Sequence, residues 1–397
     1  MPTWLVSDVM ESMTENPQQV DVNSTATVVS VVLGSAVALL ALYLGPVLIG
    51  EYIRALGVSD ARAGMLLSTE LFGFTLGAAS LFVLPALSWR KVVAIALALM
   101  VAGNMMLLVV TQFHLFTACR FVAGLGSGLL MTMTIQVIAL MNEPDRIYGL
   151  WTTGQLSLGA LGMVIFPRLV ELGGINAVFV TWAILALLLG ASIRFYPSSR
   201  GEGGHENKPG TAAGNVVLGV FCLLGLFVYY SGQAGVWAYL ERIGASWDID
   251  LPLVFDALFY SLISGIGGAA IAIFLGARLG HTIPITISLV ISAIAIAMLI
   301  TLQGVVLFTV AACLFNFAWY LFLPYISGTV AGIDQSGRLL TGLSVIFPGS
   351  LAVGPAVGAL FISNDGSVMP ALLIGLFSVP VGLFLILPAT RALVRTQ

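Results

Sequence analysis

The chain has 397 residues, 59% hydrophobic and 8% charged, with 15 Lys and Arg against 18 Asp and Glu for a net charge of −3. Soluble domains carry roughly 25% charged residues, and a mean hydropathy of +1.06 leaves too little polar surface to wet a fold of this size. The composition excludes a soluble globular enzyme, a disordered chain and a secreted disulfide scaffold, and predicts an all-α membrane protein that crosses the bilayer many times.

The N-terminal residues carry Asp8, Glu11, Glu15 and Asp21 without Lys or Arg. That pattern excludes a cleavable signal peptide and predicts a tail over residues 1–25. A bilayer core of about 30 Å needs roughly 20 apolar residues in a helix. Runs of that length predict twelve transmembrane helices, near residues 26–50, 63–87, 91–112, 115–140, 147–170, 174–194, 213–239, 252–276, 282–302, 305–331, 340–362 and 368–389. The hydrophilic stretch 195–212, rich in Gly, Ser, Glu and Pro, divides them into a six-helix bundle over 26–194 and a second over 213–389, with a short tail at 390–397.

Lys and Arg set the orientation. On the side of the termini lie Arg90, Lys91, Arg146, Arg194, Arg200, Lys208, Arg278, Arg338, Arg391 and Arg395; the other side has Arg54, Arg62, Arg168 and Arg242. Both termini are therefore expected in the cytoplasm, with the chain multi-pass in the cell's inner (cytoplasmic) membrane. No basic block is long enough to bind nucleic acid. Cys119, Cys222 and Cys313 sit in apolar runs without metal-ligand spacing, and no nucleotide loop, His/Cys cluster or nucleophile elbow is present. The sequence therefore predicts no metal, cofactor or catalytic residue, and no enzyme.

The two halves repeat one another at an offset of about 190 residues, the kind of internal symmetry from which many transporters are built. Glu51-Tyr52-Ile53-Arg54 is matched by Glu241-Arg242-Ile243, Thr117-Ala118-Cys119-Arg120-Phe121 by Ala311-Ala312-Cys313-Leu314-Phe315, and Asp145-Arg146…Gly154 by Gly337-Arg338…Gly342. Span four carries Arg120-Phe121-Val122-Ala123-Gly124-Leu125-Gly126-Ser127-Gly128, and span eleven carries Gly354-Pro355-Ala356-Val357-Gly358. With these motifs the chain resembles the major facilitator superfamily from span one to span twelve. The resemblance implies two pseudo-symmetric six-helix bundles around a central site, and transport by alternating access. The family's charged loop after span two is reduced here to Ser88-Trp89-Arg90-Lys91. The Gly-Pro motif stands in span eleven, whereas the family's antiporters carry it in span five, so it is not read as an antiporter mark.

An ionised side chain at the centre of a span costs about 2.5–3.5 kcal/mol on insertion scales and needs a reason. Glu70 and Arg120 are the clearest cases. They lie at similar depths from one face, so they either pair within the bundle or face one cavity. The functional reading makes Glu70 a proton-coupling carboxylate and Arg120 a substrate-binding cation; the alternative is a fixed structural ion pair. Glu51 and Glu241 occupy matching helix ends and are expected to act in gating, with Arg54 or Arg242 as partners.

Polar and aromatic side chains mark the expected cavity: Tyr43 in span one, Gln155 in span five, Tyr230, Gln233 and Trp237 along one face of span seven, and Asn316, Trp319 and Tyr320 in span ten. Amides in hydrocarbon need internal partners or a wet cavity. Taken together, these residues predict a monomeric, proton-coupled transporter in the lipid bilayer. Its substrate is expected to be a small molecule, an amphipathic or aromatic organic anion, and the sequence fits a symporter and an antiporter alike. The alternatives are a proton-driven efflux antiporter for drugs or metabolites, and a non-transporting receptor on the same fold.

Overall fold

The structure is a computed structural model that describes residues 20–80, 87–198, 213–276, 278–333, 338–362 and 367–396. The expected tail up to residue 19, most of the linker with Arg200 and Lys208, and residue 397 lie outside the described residues. Regular structure among the described residues is helical throughout.

Span one starts at Ser24, whose hydroxyl accepts from the Thr27 N–H at 3.3 Å and so caps the helix. It is built from three pieces, Thr25–Ala38, Leu40–Tyr43 and Gly45–Leu56. Gly57, at φ 63°, closes the last piece in the left-handed region that glycine adopts without strain. Asp60–Ser80 is span two, Trp89–Met106 span three and Phe113–Ile138 span four. Pro144–Leu189 holds spans five and six, divided at Gly173 and Gly174, the latter at φ 62°. Ala213–Ala238 and Leu240–Ser246 make span seven. Spans eight to twelve are Leu251–Leu275, Thr282–Thr301, Val305–Ile333, Arg338–Phe361 and Met369–Thr396.

Among the described residues, nine helices are long and apolar enough to cross a bilayer. One of these holds spans five and six; span one is segmented, and span two carries Asp60, Arg62 and Glu70. These account for the twelve expected crossings. Among the described residues, four differ from the sequence reading by six or seven residues at one end: span three stops at Met106 instead of 112, span twelve runs on to Thr396 instead of 389, and spans one and seven are also longer. Spans one and seven run past Glu51 and Glu241 to Leu56 and Ser246, because both carboxylates are buried and so do not mark the membrane edge.

Spans two and three pack on span four, and spans eight and nine pack on span ten, the same arrangement repeated six helices later. Across the halves span two lies on span eleven and span five on span eight, the reciprocal pairing a pseudo-two-fold axis demands. Glycine sets how closely spans two and four approach. A Cβ at Gly124 would run into the Glu70 carbonyl, one at Gly128 into that of Phe74, and one at Gly73 into that of Phe121. Backbone cannot step aside as a side chain can, so Gly124→Ala is expected to lower stability by about 1–3 kcal/mol through overpacking. Gly267→Ala meets nothing within 4 Å and is expected to be neutral or slightly stabilising. Thermal unfolding of the two variants in detergent checks this; equal effects would mean the helix approach has been misread.

Candidate transport site

The centre of the molecule is a hydrogen-bonded row that crosses from one half to the other. The Tyr320 hydroxyl donates to that of Tyr43 at 3.3 Å, and Tyr43 donates to Gln155 Oε1 at 3.0 Å. Spans ten, one and five are thereby joined at mid-depth. Tyr43 lies in the four-residue piece between the two breaks of span one, and Gly159 of span five leaves room for its ring. Gly265 of span eight does the same for Tyr320. All three polar residues are buried, and the Gln155 Nε2 amide has no hydrogen-bond partner.

One turn further along, the halves share a second link. Pro46 has no N–H to donate to the carbonyl of Leu42, four residues earlier. Trp237 Nε1 of span seven donates to that freed carbonyl at 2.8 Å. A proline in the first half thus creates an acceptor that an indole of the second half fills.

At the face where spans one and seven end, called here the far face, charge joins the halves. Arg54 Nη1 donates to Glu241 Oε1 at 2.7 Å and its Nε to Glu51 Oε2 at 3.2 Å. Arg242 Nε meets Asp60 Oδ1 at 2.8 Å. Glu241 is fully buried, with Oε2 lacking a hydrogen-bond partner. Gly50 gives its carboxylate space, since a Cβ there would strike it. Beneath this layer Ser68 Oγ of span two donates to the Ala352 carbonyl of span eleven at 2.6 Å. Among the described residues, both ion pairs that cross between the halves lie at the far face.

Glu70 and Arg120 are brought together, and all their partners belong to the first half. Arg120 pairs with both oxygens of Glu70, its Nε reaching Oε2 at 3.1 Å, and its Nη1 donates to Asn104 Oδ1 of span three at 2.9 Å. The rings of Phe179 and Trp182, from span six, lie 5.3 and 5.2 Å from the guanidinium carbon. These contacts all come from the first bundle, and none of them is to the Tyr43–Gln155–Tyr320 row. Glu70 also borders a cavity of about 10 Å³ under the broken part of span one, lined by Leu39, Ala41, Leu42 and Ser127.

The other marked residues turn elsewhere. Gln233 is held inside the second half, accepting from Ser292 at 2.7 Å and donating to Ser378 Oγ at 3.1 Å. Asn316 donates to Ser261 at 3.0 Å between spans ten and eight. Tyr230 donates to the Trp319 carbonyl at 3.1 Å and packs edge-on against the Trp319 ring. Trp237 and Glu241 face span one, so the stripe along span seven divides between an interface and a bundle core. Asp60 and Asn104 carry weight that the sequence reading gave them no part in. Asn104 was open to the same test as the other mid-span amides, since hydrocarbon leaves it no partner.

Two packed bundles, a polar row across their seam and ion pairs at one end define a secondary transporter. The chain belongs to the Major Facilitator Superfamily, whose sequence pattern matches residues 31–333. No curated protein matches it by sequence. Among solved structures it is similar to a mutant of the nucleoside transporter NupG, at 15% identity and a TM-score of 0.68, over 92% of this chain and 99% of that one. It is also similar to a mutant of the peptide transporter POT in complex with alafosfalin, at 11% identity and a TM-score of 0.75, over 94% of this chain and 96% of that one. At these identities the likeness concerns the fold.

Proposed function

We propose that the chain moves a small organic solute across the cytoplasmic membrane by proton-coupled alternating access, with both termini in the cytoplasm. One observation carries the reading: the polar row Tyr43–Gln155–Tyr320 straddles the two halves at mid-depth, while among the described residues the ion pairs between the halves lie at the far face. A site on the seam is exposed to either side by rocking one bundle on the other. In this conformation the external face is shut, and Glu51, Arg54 and Glu241 form its gate. The orientation follows from the Lys and Arg of the loops.

Glu70 supplies the proton site. It is a carboxyl at mid-membrane, and the cavity beside it is close to the smallest that holds one water, about 10–15 Å³. Wetting that cavity when span one moves lets a proton reach Glu70, and a protonated Glu70 releases its hold on Arg120. The energy for accumulation is then the proton gradient. The two solved relatives are named for nucleosides and peptides, which suits a small organic cargo.

The test is reconstitution into liposomes loaded with a pH-sensitive dye, with a panel of amides, sugars, amino acids and organic acids added outside. Solute-dependent acidification of the lumen, absent from protein-free vesicles, is the expected result. Solutes that stabilise the purified protein yet move neither themselves nor protons would make it a receptor, and the proposal would fall.

A further inference from the structure

We infer that the solute is uncharged and planar, and offers an amide- or lactam-type carbonyl to Gln155. This inference rests on the reading of the central row as the transport site, and it replaces the organic anion that the sequence suggested. The anion expectation depended on Arg120 as a counter-charge. That guanidinium is fully buried and engaged by Glu70, Asn104, Phe179 and Trp182, all of the first half.

The row itself is free of charge. Span one has no ionisable Asp, Glu, Lys or Arg between Asp21 and Glu51, span five none between Arg146 and Arg168, and span eight none between Asp256 and Arg278. Span seven is likewise clear up to Glu241, and span ten from end to end. An anion lodged beside Tyr43 would find no cation on these five spans, and an ion without a counter-charge at such depth costs about 2.5–3.5 kcal/mol or more. A neutral solute avoids that cost.

The hydrogen-bond inventory adds the chemistry. The Tyr320 hydroxyl gives its proton to Tyr43, and Tyr43 gives its own to Gln155 Oε1, so both donors of the row are spent internally. Gln155 Nε2 remains, buried and without a partner. A buried donor left unmet costs about 1–3 kcal/mol, which a ligand acceptor recovers on binding. A carbonyl oxygen is the acceptor that meets an amide N–H in plane, and the rings of Tyr43 and Tyr320 in the same row favour a flat body against it.

Matched pairs of probes test this: nicotinamide against nicotinate, benzamide against benzoate, and phenylacetamide against phenylacetate, each read by thermal stabilisation of the purified protein at neutral pH and by flux in liposomes. At least one amide is expected to bind, at least tenfold more tightly than its carboxylate. Gln155→Leu is expected to weaken that amide tenfold or more while leaving the unliganded melting temperature within a few degrees. An anion that binds as well as its amide overturns the inference. So does the absence of binding by all three amides up to their solubility, or unchanged amide affinity in Gln155→Leu. Anion flux without amide flux would sink this inference and leave the transporter reading standing; amide binding without any flux would do the reverse.

Discussion

Glu70→Gln is expected to destabilise the protein by about 3–5 kcal/mol and to abolish proton-driven accumulation. The stability loss follows from what is left behind. Arg120 has no exposed surface, and removing one member of a buried pair strands the other as an uncompensated charge. Asn104 and the two rings hold the guanidinium in place without neutralising it. Replacing both ions by apolar side chains has a different cost, because desolvation of the charges disappears along with their attraction, and such exchanges are often neutral. Glu70→Met with Arg120→Met is therefore expected to recover most of the lost stability, measured by chemical unfolding in detergent. Transport then separates the two roles the pair could have. A fixed strut replaced by a good strut would leave pH-driven accumulation intact. A proton site that has been removed would leave solute exchange running with no response to the gradient, and that is the expected outcome.

The sequence carried the crossings well because lipid imposes a simple rule: every span must be apolar for about 20 residues, whatever it later packs against. The depth of Glu70 and Arg120 was legible for the same reason, since rise per residue converts position into height. Direction was not. Gln233 and Trp237 lie four apart on one face of span seven, yet one bonds Ser292 and Ser378 inside its own bundle while the other bonds Leu42 across the seam. A helix wrapped by protein on several sides has polar neighbours in more than one direction, so a stripe does not name a cavity. The Trp237 bond was hidden more deeply still, because its acceptor is a backbone carbonyl. Pro46 was visible as a kink, but the oxygen it frees has no letter in the sequence. Glu51 and Glu241 were visible as matching carboxylates; that Arg54 binds both, and that Asp60 answers Arg242, required the halves to be placed together.

Arg54→Ala is expected to shift the resting population toward an open far face by roughly thirtyfold. Arg54 is itself 37% exposed, whereas its partner Glu241 is fully covered. Its loss therefore falls between the 0–1 kcal/mol of a surface pair and the 3–5 kcal/mol of a broken buried one, at about 2 kcal/mol. That penalty belongs to the closed state alone, because parting the halves returns the Glu241 carboxylate to water. A difference of about 1.4 kcal/mol is tenfold in an equilibrium, which gives the thirtyfold estimate. Spin labels at Ala55→Cys and Ser246→Cys, both exposed on opposite halves of the far face, should report a longer distance population in Arg54→Ala than in the parent. Glu241→Gln should shift it less, since Arg54 keeps Glu51 and its contact with water. The asymmetry is the discriminating feature: a larger shift in Arg54→Ala would mean that the far face is held closed by the need of a buried carboxylate for its cation more than by the attraction between two wet ions. An equal shift in both variants, or none in either, would place the closing force in the apolar seam and in Trp237 rather than in charge.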